Sequence, residues 1–286
     1  MSATRSILIT GCSSGIGYAA AHGMRARGWR VFAACRQQED CDRLAAEGFD
    51  APRLDYTDET SIQSALAQVL EQTGGTLDAV FNNGAHATPG LVEDLPTDAL
   101  REIFEANFFG WHSLTRSVIP VMRAQGHGRI VQCSSVLGMV AMPWRGAYNS
   151  TKFALEGLTD TLRLEMRGTG VELILIEPGP VTSKLRTKAI PRFERWIDWK
   201  NSPRAAEYEA TMRPRLYDDS GKKDRFELPP EAVVEKLAHA VESPRPRPRY
   251  FVTCPLYPSP AAHEPLCLNL RAPRASSKKT RPHRAT

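Results

Sequence analysis

Tyr148 and Lys152 stand four residues apart in the stretch AYNSTKFAL (147–155), whose small and apolar residues favour a helix. On a helix that spacing puts a phenol and an ammonium on one face, about one turn apart. Such a pair is either a solvated surface contact or a couple held for proton transfer. Nearby candidates decide what company it keeps. Ser134-Ser135 closes the strand-like run that begins at Arg129, and Glu177-Pro178-Gly179-Pro180-Val181-Thr182 closes the next. In an open parallel sheet the loops at such strand ends face a ligand crevice.

The first apolar run, Ser6 to Thr10, ends in Gly11-Cys12-Ser13-Ser14-Gly15-Ile16-Gly17, and a helix pattern follows. Glycines there allow a tight turn, close backbone approach to a pyrophosphate and close strand–helix packing, while a helix N-terminus offers free N–H groups to phosphates. The spacing differs from the common G-x-G-x-x-G, yet three glycines after a first strand point to a dinucleotide site. The second run ends Cys35-Arg36, where an acid would suit the ribose of NAD and an arginine suits the extra phosphate of NADP, so NADP(H) is the preferred cofactor and NAD(H) the other. Asp55 is placed to cap a turn or meet the adenine side. Asn107 falls in the phase of an apolar stripe (100, 103, 104, 107, 108, 111), so its amide must find partners in the interior.

Elements that would position these groups alternate regularly. Strand-like runs occur at Ser6–Thr10, Val31–Cys35, Ala79–Phe81, Arg129–Cys133, Val171–Ile176 and Tyr250–Thr253, with helical patterns between them. Thr97 is a plausible N-cap for the long stripe through Val118. This alternation predicts a doubly wound α/β fold around a parallel sheet over 1–253. From Thr182 to Leu228 the pattern loosens into a charged helical excursion carrying Trp196 and Trp199, read as a substrate lid over 183–228. Pro229-Pro230-Glu231 then starts a last helix.

Composition sets limits. Hydrophobic residues make up 42% and charged residues 24% of the 286, as in ordinary globular proteins. No run is long and apolar enough to span a membrane, and no signal peptide is expected. The six cysteines lack C-x-x-C spacing and read as reduced thiols of a cytoplasmic protein; no metal-ligand pattern is found. The net charge of +5 lies wholly in the basic, Pro/Ser-rich tail 254–286, leaving the body neutral and unsuited to nucleic acid. That tail is expected to be poorly ordered, with peripheral membrane contact left open.

Taken together, TGCSSGIG (10–17), Asp55, NNGA (82–85), Asn107, Ser135, YNSTK (148–152) and PGPVT (178–182) resemble the short-chain dehydrogenase/reductase family over most of residues 4–253, and its hydroxysteroid and retinol dehydrogenase-like branch in particular. The resemblance implies a single Rossmann domain over 1–253 with a seven-stranded parallel sheet, and hydride transfer between NAD(P)(H) and an alcohol or ketone. It implies Tyr148 as general acid/base, Lys152 lowering that phenol's pKa and holding the nicotinamide ribose, Ser135 holding the carbonyl oxygen, and Asn107 supporting the lysine through a water. It further implies cofactor contacts from Gly11, Ser13, Ser14, Gly15, Ile16, Gly17, Arg36, Asp55, Asn82, Gly84, Pro178, Gly179, Val181 and Thr182. One departure stands out: Gly84-Ala85 reverses the family's usual Ala-Gly order. The long excursion suggests a bulky apolar alcohol or ketone as substrate; a 3-oxoacyl-thioester reductase and a non-catalytic NADP(H) sensor are the alternatives. Assembly through helices near 98–122 and 148–167 as a homodimer or homotetramer is implied as well.

Overall fold

The computed structural model describes residues 4–224 and 226–253. Six parallel strands form one sheet: β1 (Ser6–Thr10), β2 (Arg30–Ala34), β3 (Ala79–Asn82), β4 (Gly128–Cys133), β5 (Val171–Glu177) and β6 (Arg249–Phe251), in the order β2-β1-β3-β4-β5-β6. β1, β3, and all but one residue of β2, β4 and β5, are buried, as strands covered by helices on both faces must be. The order reverses between β1 and β3, and that switch point opens a crevice beyond the carboxyl ends of the strands.

The expected seventh strand is reduced to two isolated bridges, Phe32↔Asp50 and Cys35↔Arg53, along the free edge of β2. The reason is Pro52. Ala33 N–H donates to Asp50 O and Leu54 N–H to Cys35 O, but Pro52 has no N–H with which to close the intervening rung.

Helices cover both faces. α1 (Gly15–Ala26) lies behind β1; α2 (Gln38–Ala46) and α3 (Glu59–Thr73) follow, the latter capped by Asp58, which accepts from Ser61 N–H, and closed by Gly74 in the left-handed region. α4 (Thr97–Phe104) begins one residue earlier than the sequence suggests: Pro96 is its N-cap and Thr97 its first helical residue. The apolar stripe then passes through a π turn, Glu105–Phe109, into α5 (Gly110–Ala124), so the single long helix expected there is interrupted at Asn107. α6 (Gly146–Glu165) carries the Tyr148–Lys152 pair.

The excursion is helical. α7 (Leu185–Trp196), α8 (Ala205–Glu207), a π turn at Tyr208–Met212 and α9 (Arg213–Leu216) surround a small second core of Ala189, Phe193, Ile197, Tyr208, Met212 and Leu216. Its neck is pinched where Thr182 N–H donates to Leu228 O and Leu228 N–H to Pro180 O. Two acids tie it to the body. Asp94 accepts from Ser202 and Tyr208 hydroxyls, both at 2.8 Å, and Glu102 on α4 accepts from Arg195 and the Trp196 indole and pairs with Arg192. α10 (Glu231–Glu242) returns the chain against α1, where Gly23 leaves room for Val234. Among the described residues no helix is long and apolar enough to cross a membrane. The basic tail 254–286 lies outside the described residues.

Candidate active site

The turn after β1 is built from close backbone approach. Gly11 has φ +70°, and a Cβ there would stand 2.5 Å from Gly84 Cα; a Cβ on Gly17 would collide with the Gly11 carbonyl oxygen. Thr10 locks the two loops, its hydroxyl accepting from Asn83 N–H (2.9 Å) and Gly84 N–H (3.1 Å). Reversal of the Gly-Ala order is therefore tolerated because the residue facing Gly11 is small in either order; a methyl on Gly84 would still stand 3.3 Å from Gly11. Ser14 is the N-cap of α1 with no side-chain capping bond, so the first N–H groups of that helix are left for another acceptor. These features fit a dinucleotide pyrophosphate.

Around the turn, cations converge. Arg36 is exposed just beyond β2, and Arg43 donates to the Ser13 carbonyl while paired with Asp40 and Glu47. Lys188 reaches over from α7 to the Ser13 and Ser14 hydroxyls, at 3.0 and 3.2 Å. Sequence reading missed Lys188 because its segment has no clean periodicity. Gly15 lies directly under Ser183, with Ile16 half-buried beside it. Asp55 caps a local turn, accepting from Thr57 N–H and hydroxyl. The Asn82 side chain is fully buried, engaged by Tyr56 (2.6 Å) and Thr115 (3.3 Å), so it holds the interior together and does not project into the crevice.

The proposed catalytic residues gather at the ends of β4 and β5. Ser135 donates to the Pro178 carbonyl at 3.3 Å and accepts from Leu137 N–H, while Val136 N–H also donates to Pro178 O. Lys152, almost fully buried, donates from Nζ to the Cys133 carbonyl at 2.8 Å and lies 4.2 Å from the centre of the Trp111 ring. Burial pulls its pKa down to about 8, with Cys133 and Glu156 opposing. Burial pushes the Tyr148 phenol up; the neighbouring Ser135 hydroxyl and the charge of Arg145 work against this rise. The ammonium lies 5.5 Å from the Tyr148 ring centre.

Asn107 meets its partners in the π turn. Its amide donates to His86 O (2.8 Å) and accepts from His86 N–H (3.0 Å), clamping the backbone just after NNGA. π turns concentrate at functional positions because they displace backbone groups from the α ladder. Burial, then the charges of Arg192 and Arg36, bring the His86 imidazole down to about 3, so it is neutral. Gly179 leaves no space for a side chain beside Thr253, and Val181 and Thr182 form the excursion's neck, Thr182 donating to Glu227 at 2.6 Å. Tyr148, Trp144, Trp196 and Trp199 all pack against the excursion's apolar cluster. Trp196 is also tied to Glu102, and Trp199 lies under Arg213 at 4.2 Å. Among the described residues no group of three or more His, Cys, Asp or Glu side chains could hold a metal ion.

The family model described as short chain dehydrogenase matches residues 5–192. The chain belongs to that family. It is 38% identical over 249 residues to an uncharacterized oxidoreductase, YbbO, of Escherichia coli K12, covering 87% of this chain and 86% of the relative. It is 30% identical over 262 residues to human 17-beta-hydroxysteroid dehydrogenase type 1, covering 86% and 77%. A solved short-chain dehydrogenase from Streptomyces avermitilis superposes with a TM-score of 0.73 at 28% identity, covering 88% of both chains. The protein is thus an oxidoreductase acting on CH–OH or carbonyl groups with a nicotinamide cofactor.

Proposed function

We propose that this short-chain dehydrogenase interconverts a ketone and a secondary alcohol on a largely apolar substrate, with NADP(H) as its cofactor. The observation that carries the reading is the meeting of Ser135, Tyr148 and Lys152 at the ends of β4 and β5, with Tyr148 also a member of the excursion's apolar cluster. The cofactor, when bound, supplies or accepts the hydride. Every other part of the reaction falls to side chains. The Ser135 hydroxyl, close to the phenol, is placed to donate to the substrate oxygen. Tyr148 gives its proton to that oxygen during reduction and takes it back during oxidation. The positive charges of Lys152 and Arg145 offset the phenolate left behind. Asn107 positions the loop after NNGA through His86.

NADP(H) is favoured by two cations at the adenosine end, Arg36 and Lys188, neither of which has a carboxylate partner among the described residues. Residues 183–228 act as the lid that covers the substrate and keeps water out. The four described cysteines are buried and free, in keeping with a reducing, cytoplasmic setting.

The test is NADPH and NADH oxidation followed by absorbance against a panel of apolar ketones and aldehydes, with Tyr148→Phe alongside. Turnover with NADPH that falls by roughly 10²–10⁴ in the variant, at unchanged NADPH affinity, is expected. Equal turnover in both proteins would remove Tyr148 from the reaction. Tight NADPH binding without turnover in either would favour a cofactor sensor.

A further inference from the structure

Arg145 stands in a position that its own energetics disfavour. It is the N-cap residue of the 20-residue α6, where the helix dipole presents positive charge. It is half-buried, and among the described residues its guanidinium has no hydrogen-bond or ion-pair partner. A desolvated and unmatched guanidinium costs stability. Its neighbours relieve it only in part. Arg186 on the excursion and Arg215 on α9 lie within electrostatic reach, and both are paired with one carboxylate, Asp224, at 3.3 Å. Asp224, already bonded to two guanidinium groups, also lies in the field of Arg145.

Location gives the surplus charge a meaning. Arg145 precedes Tyr148 by three residues, at the mouth of the helix that carries the phenol. Each lies in the electrostatic field of the other. Arg145 is also flanked in sequence by Trp144, which packs edge-on against Tyr208 and joins Leu185 and Leu216 in the apolar cluster containing Tyr148. A ligand reaching Tyr148 thus meets an apolar wall and, close to the phenol, an unmatched planar cation.

We infer that Arg145 is the anchor for a carboxylate on the substrate, so that the substrates are oxo acids and hydroxy acids with an apolar body. This rests on the reading that Tyr148 handles the reacting oxygen. The guanidinium fork matches a carboxylate in two parallel bonds, fixing both the distance and the orientation of the carbonyl before Tyr148. The carboxylate takes no part in the redox step. The carbonyl carbon gains a hydride as NADPH is oxidised to NADP+, and the oxygen gains the Tyr148 proton.

The experiment compares 3-oxo carboxylates with their methyl esters as substrates, and octanoate with octanamide as unreactive ligands in the presence of NADP+, for the native protein, Arg145→Gln and Arg145→Lys. NADPH affinity serves as the check on folding. In the native protein kcat/KM for the acid should exceed that for the ester by about tenfold or more, and octanoate should bind where octanamide does not. In Arg145→Gln both preferences should vanish, and Arg145→Lys should recover part of each because it keeps the charge but loses the fork. Equal use of acid and ester by the native protein, with equal binding of octanoate and octanamide, would overturn the inference, as would preferences untouched by Arg145→Gln. Failure of the underlying reading looks different: carboxylate binding that depends on Arg145, without turnover of any carbonyl compound.

Discussion

Glu177 shows how a single residue takes its properties from neighbours far away in the chain. It ends β5 with its side chain fully buried, and Arg249 donates to one of its oxygens at 3.0 Å while also reaching Glu156 and Asp160. Burial first, then the charge of Glu156, raises its carboxyl to about 8 from 4.5, against the pull of Arg249. A carboxyl held above its unfolded value binds an extra proton in the folded state. Its contribution to stability is present in full below about 4.5 and is lost as pH rises through about 8. Glu177→Gln, which keeps the neutral shape, should therefore gain stability relative to the native protein as pH rises across that window. Denaturant unfolding at both ends of the window checks this; a difference independent of pH would show that Glu177 titrates as an ordinary carboxylate. The proposed catalytic residues Tyr148, Lys152 and Ser135 were legible by motif. Glu177 was not, because its partners come from α6 and β6, and burial among like charges leaves no mark on the local sequence.

At the scale of elements, α7 does two jobs. Through Lys188 it touches the glycine turn after β1, and through Arg192, Arg195 and Trp196 it is held to Glu102 of α4. The first contact predicts that Lys188→Gln weakens NADPH binding by about tenfold, as loss of a charge-assisted bond would, measured by titration calorimetry. Unchanged affinity would leave Arg36 as the cation to examine at this end. The second predicts that Glu102→Gln loosens the excursion, because removing the charge abolishes the ion pairs with the largely buried Arg192 and the exposed Arg195, although the amide oxygen can still accept from the Trp196 indole. Hydrogen exchange within 183–228 should quicken while exchange in the sheet stays the same. Periodicity announced the helices of the body well, and the excursion only as loss of pattern. The π turn at Glu105–Phe109 was invisible for a different reason: the apolar stripe runs through it without a break, and one extra residue in a turn barely shifts the phase.

For the whole molecule, the surface carries its own expectation. Phe109 on the π turn and Phe153 and Leu164 on α6 are exposed at 49%, 45% and 56%, on the elements through which the family resemblance implies assembly. Single large apolar residues on a surface are common, but three on adjoining helical elements are where the implied assembly would bury apolar surface. Phe109→Glu combined with Phe153→Glu should convert a native dimer or tetramer to monomers in light scattering without lowering the melting temperature. A native monomer would rule this interface out.

What the sequence by itself determined was the order of parts: alternating strands and helices, the glycine turn, the seryl, tyrosyl and lysyl groups, and the placing of six strands. These are local signals, carried by residue type and by periods of two and 3.6. Tertiary structure alone decided the rest. Packing against β2 exposed the consequence of Pro52, a strand reduced to bridges. Folding of the excursion brought Lys188 onto the glycine turn across more than half the chain, and left Arg145 near Tyr148 with no acid bonded to it among the described residues. Charge balance and burial depend on which distant segments meet, and no local pattern encodes that meeting.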